Sequence, residues 1–237
     1  MGRTIIVGDV HGCSRELSQL LERLRPEASD TLVFVGDLVN RGPDSTGVLR
    51  IVRELGARAT VGNHEPRLLA ARASRAEGKA GPRLGSSLER LMSELSDEDW
   101  KQVEAMPLKI DLPEQGLRVV HGGVVPGVPF EELDPNIVTR IRSIADDGSP
   151  SEKWCTPWGA KYRGPPHVVF GHNARAVPQL HPDATGLDTG CVYGGKLTAL
   201  VLPEGAAIPP PGERERSLVS VPAERAYSDY GRPLASD

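Results

Sequence analysis

The sequence predicts an α/β fold in which helices cover a sheet on both of its faces. In the first half of the chain, short and continuously apolar segments alternate with segments whose apolar residues recur at helical spacing. Continuous apolar runs of this length are typical of strands buried on both faces. Segments of strand type then dominate the second half of the chain. A chain of 237 residues is long enough for one large domain with a substantial core.

Three strands and two helices are predicted before residue 66. The strands are "TIIVGD" (4–9), "TLVFVGD" (31–37) and "ARATVGN" (57–63), and the helices are "SRELSQLLERLRP" (14–26) and "DSTGVLRIVRELG" (44–56). We expect Ser14 to cap the first helix and Gly56 to end the second, because these residue types favour those positions.

Residues 66–106 interrupt this alternation and are predicted to be helical. Two helical stretches, "RLLAARASRAEG" (67–78) and "SDEDWKQVEAM" (96–106), flank a glycine-rich break. Ser96 with an acidic first turn is typical of a helix start. The segment is a candidate lid over the rest of the domain.

Strands are predicted for most of the remaining chain. They are "LKIDL" (108–112), "LRVVHGG" (117–123), "HVVFGH" (167–172), "ATGLDTG" (184–190) and "KLTALVL" (196–202). We therefore expect a domain over 1–203, followed by a tail over 204–237 that is rich in proline and charge. Within this tail, apolar and other residues alternate over 218–223, which predicts a docking strand. Pro222 restricts that strand to a sheet edge because proline lacks an N–H.

Composition narrows the classes of partner. A net charge of −4 provides no overall basic field for nucleic acid or an anionic membrane. Three cysteines without a CxxC pair do not form a disulfide framework, which favours a reducing, cytoplasmic location. No run of 18 apolar residues occurs, so we expect no membrane-spanning helix.

Five of the predicted strands end in glycine together with Asp, Asn or His. These ends are "GDVHG" (8–12), "GDLVNRGP" (36–43), "GNHE" (62–65), "HGG" (121–123) and "GH" (171–172). Ligands of open α/β sheets bind at the carboxyl ends of strands. Carboxylate, amide and imidazole groups suit divalent Mn, Fe, Co, Ni or Zn. A salt-bridged aspartate beside a structural histidine would explain one such end but not five, so the pattern predicts a metal site.

The motifs resemble the signature of the calcineurin-like metallophosphoesterases, in particular their phosphoprotein-phosphatase branch. The resemblance covers residues 4 to about 202. Within the branch, "GDLVNRGPDSTGVLRIV", "VTRIR" (138–142) and "LDTGCVYGGKLTAL" (187–200) are most similar to the bacterial symmetrical bis(5′-nucleosyl)-tetraphosphatases. The resemblance implies a four-layer α/β/β/α sandwich with two divalent metal ions at the carboxyl edge of the strands. Manganese is the expected metal, with cobalt, iron, nickel and zinc as alternatives.

The resemblance also implies a ligand set for two ions. The first ion would be held by Asp9, His11 and Asp37, and the second by Asp37, Asn63, His121 and His172. Asp37 would therefore bridge the two ions. Paired cations of this kind lower the pKa of a shared water and neutralise the attacked phosphate. Cys13, beside the first motif, is interpreted as a packing residue.

Further residues are carried over as catalytic or substrate-binding candidates. His64 would protonate the leaving oxygen as a general acid, and the alternative is that it caps the following helix. The catalytic candidates are therefore His64, Arg41 and Asn40, and the substrate-binding candidates are Arg41, Arg140, Arg142 and Tyr193. We expect Arg41 to clamp phosphate oxygens, because its planar guanidinium matches them in pairs.

Asn40 departs from the pattern of the protein phosphatases, which usually carry Asp at this position to pair with the general-acid histidine. An amide carries no charge and cannot raise the pKa of His64 in the same way. Asn40 therefore favours nucleotide over phosphoprotein substrates.

Three functions follow as hypotheses. The first is symmetrical hydrolysis of diadenosine tetraphosphate and related dinucleoside polyphosphates to nucleoside diphosphates. The second is a bacterial Ser/Thr or dual-specificity protein phosphatase that uses the same site. The third is a metal-loaded scaffold that binds nucleotides or a partner without turnover. None of them requires stable nucleic-acid or membrane binding.

Overall fold

The computed structural model describes residues 2–231 and 234. The strands are β1 (Thr4–Val7), β2 (Thr31–Phe34), β3 (Arg58–Ala59), β4 (Lys109–Leu112), β5 (Leu117–Val120), β6 (Ser143–Ile144), β7 (Pro150–Ser151), β8 (Thr156–Pro157), β9 (His167–Phe170), β10 (Gln179–Leu180), β11 (Ala184–Gly186), β12 (Lys196–Leu202) and β13 (Leu218–Pro222). The helices are α1 (Ser14–Leu24), α2 (Ser45–Glu54), α3 (Glu65–Ala76), α4 (Ser86–Glu94), α5 (Asp97–Glu104), α6 (Pro135–Arg140), α7 (Trp158–Lys161) and α8 (Pro211–Arg214). No helix of the described residues is long and apolar enough to cross a membrane.

Two five-stranded mixed sheets form the centre of the fold. The first has the order β13-β12-β1-β2-β3, with β1, β2 and β3 parallel. The second has the order β10-β11-β9-β5-β4, with β5, β9 and β11 parallel. The carboxyl ends of the parallel strands of each sheet therefore lie along one edge.

The two sheets pack face to face, and helices cover their outer faces. Ile6 and Val33 of the first sheet share one buried cluster with Val119 and Val169 of the second. Their neighbours in sequence, such as Val7, point to the opposite face and pack against α1 and α2. Residues of β5, β9 and β11 pack outward against α6 and α7 in a third cluster. The implied four-layer α/β/β/α sandwich is therefore confirmed.

The helix boundaries agree in part with the predicted ones. Helix α5 begins with a full capping box between Ser96 and Asp99. Gly56 lies just beyond α2 with φ +59°, a conformation that glycine adopts without strain. The expected capping role of Ser14 is wrong: Ser14 is the first residue of α1, and Cys13, at the N-cap position, makes no capping hydrogen bond through its side chain.

The segment 66–106 contains most of α3, and all of α4 and α5, where the sequence indicated two helical stretches. Helix α4 occupies part of the stretch between them. Leu68, Leu88 and Trp100 are buried in the same cluster as α1 and α2, so the segment packs into the helical layer of the first sheet. Its action as a lid stays a prediction.

The chain after residue 203 contributes to the first sheet. Strand β13 pairs antiparallel with β12 at the sheet edge, within the range 218–223 where the sequence predicts a docking strand. The side chain of Val221 is 1% exposed and joins the helix-side core.

Arg214 attaches this C-terminal part to the second sheet. The residue is 1% exposed, and its guanidinium donates hydrogen bonds to five oxygens. These are the carbonyl oxygens of Pro209, His181, Pro182 and Ala184 and the hydroxyl of Thr185, at 2.8–3.3 Å. Each of these acceptors would lose a buried partner without the side chain.

We expect Arg214→Ala to lower the free energy of unfolding by about 2–4 kcal/mol, because it removes a fully buried side chain and takes its hydrogen bonds from the carbonyls of Pro209, His181 and Pro182. Chemical denaturation measures this change. Arg216→Ala is the matched control, because Arg216 is exposed two residues further along the chain. Equal stability of the two variants would contradict the proposed anchoring.

Candidate metal centre

The predicted ligands come together at the carboxyl edge of both sheets. Asp9, Asp37 and Asn63 follow β1, β2 and β3, while His121 and His172 follow β5 and β9. The parallel strands of the two sheets thus bring residues separated by up to 163 positions into contact, as between His172 and Asp9. Topology, rather than sequence proximity, assembles the site.

The ligand loops hold an uncommon backbone conformation. His11, Asp37 and His172 have φ values of +47°, +47° and +64°, in the left-handed region that L-residues seldom adopt. Such strain persists only where surrounding contacts determine the backbone. Here the N–H of His11 donates to the carbonyl of Asp37 at 2.8 Å, and the N–H of Gly171 donates to that of His121 at 2.8 Å.

Two of the motif glycines make room for carboxylates. A Cβ at Gly62 would collide with the carboxylate and backbone of Asp37, and a Cβ at Gly171 would collide with the carboxylate of Asp9. Any larger residue at either position would displace the acidic side chain. The glycines that precede Asn63 and His172 therefore allow close packing of the ligand loops.

Three histidines present a nitrogen lone pair to the centre, because their other ring nitrogen donates to a backbone carbonyl. Nδ1 of His121 donates to the carbonyl of Val35 at 2.9 Å, and Nδ1 of His11 to that of Val39 at 3.2 Å. In His172 the roles are exchanged, since Nε2 donates to the carbonyl of Arg140 at 3.1 Å. Backbone partners of this kind fix the tautomer of metal-binding histidines.

The inward nitrogens of His121 and His172 meet oxygen acceptors, whereas Nε2 of His11 accepts from Nη1 of Arg41 at 2.9 Å. Nδ1 of His172 and Nε2 of His121 lie 2.9 and 3.2 Å from Oδ1 of Asn63. Nε2 of His121 also lies 3.2 Å from Oδ2 of Asp37. The contact between Nε2 of His121 and the carboxylate of Asp37 requires a positive charge, as a proton on the imidazole or as a cation. The residues therefore fit a divalent metal ion with nitrogen and oxygen ligands.

Asp37 is at the middle of the cluster. Its Oδ2 lies 3.2, 3.4 and 3.9 Å from Nε2 of His121, His11 and His64, and its Oδ1 accepts the N–H of His64 at 3.2 Å. Ligand atoms of two triads, His11–Asp37–His64 and Asp37–His121–His172, lie within 4.8 Å of one another in each triad. Asp37 is common to both triads, as a bridging ligand must be.

The pKa values of the cluster follow from burial and mutual charge. Burial alone would raise the pKa of Asp37, but the imidazoles of His121, His64 and His11 outweigh it and hold the pKa well below its usual value. Burial also opposes protonation of His121, yet the carboxylate of Asp37 raises the pKa of that residue to about 10. The site therefore stabilises positive charge next to Asp37, which a metal ion would supply in exchange for the proton.

Asp9 lies at the margin of the first triad. Its Oδ2 is 4.0 Å from Nε2 of His11, and both carboxylate oxygens accept the N–H of His172, at 3.2 and 3.1 Å. Burial and the nearby carboxylate of Asp188 raise the pKa of Asp9 well above its usual value. Excess negative charge in a buried site favours cation binding.

The side chains of His64 and Asn40 are in contact. The amide Nδ2 of Asn40 lies 2.5 Å from Nδ1 of His64. His64 occupies the N-cap position of α3, but its side chain makes no capping hydrogen bond, which removes the alternative that the imidazole caps the helix. Burial and then the charge of Arg41 lower the pKa of His64 to about 4, although Asp37 opposes the shift. Its Nε2 is buried without a hydrogen-bond partner among the described residues.

Arg41 lies between the cluster and an aromatic side chain. Its Nη1 donates to Nε2 of His11 at 2.9 Å, and its guanidinium lies 5.4 Å from the ring centre of Tyr193. Arg41 and Tyr193 both line a pocket of about 250 Å³ together with His11, Asp37, Asn63 and His172.

The two arginines of "TRIR" are placed differently. Arg142 lines the same pocket, donates to Oδ1 of Asn173 at 3.3 Å and has its guanidinium 5.4 Å from the ring centre of Trp154. Arg140 does not line this pocket; the residue borders a separate pocket together with Ser151. The contact of Arg140 with the cluster is its carbonyl oxygen, which accepts from His172.

Four further residues of the site were not identified from the sequence. Glu65 is fully buried and accepts the N–H groups of Leu38 and Gly62, both at 2.9 Å, so it ties two ligand loops together. Asp188, Asp229 and Tyr230 line the pocket. Glu65 and Asp188 lie within "GNHE" and "LDTG", so their positions at strand ends were available as a signal, whereas nothing local distinguishes Asp229 or Tyr230.

Residues 2–201 match the sequence pattern of the calcineurin-like phosphoesterase family. The chain belongs to this family and is a hydrolase. The family implies divalent metal ions, which agrees with the donor set described above.

Three curated relatives align with 84–97% of the chain. A symmetrical bis(5′-nucleosyl)-tetraphosphatase of Chromohalobacter salexigens is 33% identical over 85% of this chain and 95% of its own length. A protein of the same name from Ralstonia nicotianae is 32% identical over 97% of this chain and 95% of its own length. An asymmetrical bis(5′-nucleosyl)-tetraphosphatase of Halalkalibacterium halodurans is 32% identical over 84% and 89%.

Solved structures agree with this assignment. A structure provisionally assigned as a diadenosine tetraphosphatase is 37% identical, covers 94% of both chains and superimposes with a TM-score of 0.78. A protein serine/threonine phosphatase from Saccharomyces cerevisiae covers 94% of this chain and 79% of its own, with a TM-score of 0.57 and 16% identity. The second likeness shows the shared fold only.

We expect Asp37→Asn to abolish stable metal binding and to lower kcat/KM at least about a thousandfold, or about 4 kcal/mol of barrier, because one carboxylate serves both triads. Metal content after gel filtration and hydrolysis rates measure the two effects. Asp146→Asn is the matched control, since Asp146 is exposed. Retention of full metal content by Asp37→Asn would contradict the central position given to this carboxylate.

Proposed function

We propose that the protein hydrolyses diadenosine tetraphosphate and related dinucleoside polyphosphates symmetrically, giving two nucleoside diphosphates. The observation that carries this proposal is the position of Arg41, which contacts His11 of the cluster on one side and the ring of Tyr193 on the other. A nucleotide substrate needs a cationic group for its phosphates next to the cluster and an aromatic group for its nucleoside further away. The "LDTGCVYGGKLTAL" segment and the symmetrical relatives support the position of cleavage.

Charge in the pocket explains why metal ions must precede the substrate. Asp37, Asp188 and Asp229 line the pocket, against the guanidinium groups of Arg41 and Arg142. Without further positive charge these carboxylates would repel a polyphosphate. We propose two divalent cations, with manganese as the expected metal, held by Asp9, His11, Asp37, Asn63, His121 and His172.

The protein's own residues then position the substrate and handle the leaving group. Bound cations of this kind supply an activated water and neutralise charge on the attacked phosphate. Arg41 and Arg142 orient phosphate oxygens through paired hydrogen bonds, and Arg140 adds positive charge nearby. Tyr193 bounds the pocket on the nucleoside side. A proton held at Nε2 of His64 is directed toward the cluster, where the leaving oxygen departs.

Asn40 fits an anhydride substrate better than an ester. A nucleoside diphosphate is a stable leaving group and needs little protonation, whereas a serine alkoxide needs the proton in the transition state. The contact of Asn40 with His64 offers no carboxylate to raise the pKa of the imidazole and keep it protonated. Asn40 therefore also argues against the second hypothesis, a Ser/Thr or dual-specificity protein phosphatase. We infer that the enzyme is cytoplasmic, because its cysteines form no disulfide framework and the proposed nucleotide substrates occur in the cytoplasm.

Asymmetrical cleavage is a second candidate function. The relative from Halalkalibacterium halodurans, which is named asymmetrical, is as similar to this chain as the symmetrical relatives are. Both reactions would use the same cluster and differ only in which phosphorus atom lies next to it.

Product analysis decides between these reactions. We expect the manganese-loaded protein to convert diadenosine tetraphosphate into ADP alone, as measured by ion-exchange chromatography at early times. ATP with AMP would indicate asymmetrical cleavage. No turnover of the nucleotide, with turnover of a phosphoserine peptide, would favour the protein phosphatase, and no turnover of either would leave a binding scaffold. A chelator should abolish the activity, and added manganese or cobalt should restore it.

We expect Asn40→Asp to raise phosphopeptide turnover more than turnover of diadenosine tetraphosphate, because a carboxylate beside His64 raises its pKa and keeps more of the imidazole protonated for the poorer leaving group. The ratio of the two kcat/KM values should rise about tenfold, or about 1.4 kcal/mol of barrier. Both substrates must be measured at one pH and one metal concentration. An unchanged or lower ratio would show that Asn40 does not set the substrate preference.

A further inference from the structure

The chain returns to the metal pocket after the last strand of the first sheet. We call Glu224–Gly231 the C-terminal strap. The N–H groups of Tyr227 and Ser228 donate to the carbonyl of Val192 at 2.9 and 3.0 Å. An isolated antiparallel bridge joins Ala226 to Tyr193. The strap therefore lies along the loop that presents Tyr193 to the pocket.

A buried carboxylate holds the strap against α1. Glu16 is 0% exposed, and its Oε1 accepts the N–H of Glu224 at 3.0 Å and the hydroxyl of Tyr227 at 2.9 Å. On the surface, Arg15 forms an ion pair with Glu224 at 2.7 Å. Hydrogen bonds to a buried carboxylate are among the stronger ones, so the strap has a defined position.

The end of the strap forms part of the pocket wall. The ring of Tyr230 packs against that of Tyr193 with ring centres 4.6 Å apart and planes inclined by 46°. Both tyrosines and Asp229 line the pocket with His11 and Arg41. Beyond the strap, the side chain of Leu234 packs against Gly190, so closely that a Cβ at Gly190 would collide with it.

The pocket is too small for a whole dinucleotide. Pockets that bury a drug-sized ligand enclose roughly 300–1,000 Å³, whereas this one encloses about 250 Å³. It can accommodate phosphate groups beside the cluster, and a nucleoside must then extend along the wall. On that wall, Arg41 is followed by the ring of Tyr193 and then by the ring of Tyr230.

We propose that Tyr230, supplied by the C-terminal strap, forms with Tyr193 the stacking surface for a nucleobase of the substrate, and so determines selectivity for nucleotides over base-free phosphates. This inference rests on the proposed function. Aromatic side chains bind bases of any sequence because every base has a π face. The hydroxyl of Tyr227 and the carboxylate of Glu16 act as positioning groups, since they hold the strap without lining the pocket.

Direct binding to the manganese-loaded protein tests the proposal without requiring turnover. Isothermal titration calorimetry is performed with ADP and with inorganic pyrophosphate, which share a diphosphate but differ in the nucleoside. We expect Tyr230→Ala to weaken ADP binding about tenfold relative to pyrophosphate binding, equivalent to about 1.4 kcal/mol. Tyr230→Phe is the matched variant: it keeps the ring and should retain the ADP affinity of the unaltered protein within about twofold.

An equal loss of affinity for both ligands would overturn the proposal, because it would show that Tyr230 only supports the pocket. Unchanged ADP binding would also overturn it. If Tyr230→Ala bound both ligands more tightly, the proposal would also be overturned, because the strap would then obstruct the pocket. A selective loss of ADP affinity supports it, even if the protein proves not to cleave dinucleoside tetraphosphates, so the two proposals fail separately.

Discussion

The buried carboxylate of Asp37 is the constraint on which the site depends. It lies where the edges of two sheets meet, within 3.9 Å of imidazole nitrogens from His11, His64 and His121. A charge so far from solvent is tolerated only when positive groups surround it. Three features place imidazole nitrogens around this carboxylate. They are the glycine-flanked loops, the left-handed backbone at Asp37 and the hydrogen bonds to backbone carbonyls that fix the histidine tautomers.

The metal-binding strand ends could be predicted from the sequence because each carries the same short pattern of residues. A buried strand that ends in glycine and a metal-binding residue needs only a few neighbouring residues to be recognised, and the five such ends all lie at the site. The capping box of Ser96 and the edge strand around Val221 were similarly visible, since each depends on short-range pattern. The ligand set itself came from resemblance to a known family, and the geometry of Asp37 and Asn63 is consistent with it.

Features built from distant residues were not predictable in this way. Strands β6, β7, β8 and β10 have two residues each, too few for any periodicity to show. Helix α4 occupies part of a stretch that the sequence left outside its two helical segments. The positions of Arg140 outside the pocket and of Tyr230 in its wall depend on tertiary packing. The sequence alone does not show which side chain of a loop points inward.

Anomalous diffraction from crystals of the manganese-loaded protein tests the central claim most directly. Two cations that share one carboxylate lie about 3.5–4 Å apart. The account predicts two manganese peaks at this separation, with the carboxylate of Asp37 in contact with both. A single peak, or two peaks of which only one contacts Asp37, would contradict the central role assigned to this residue.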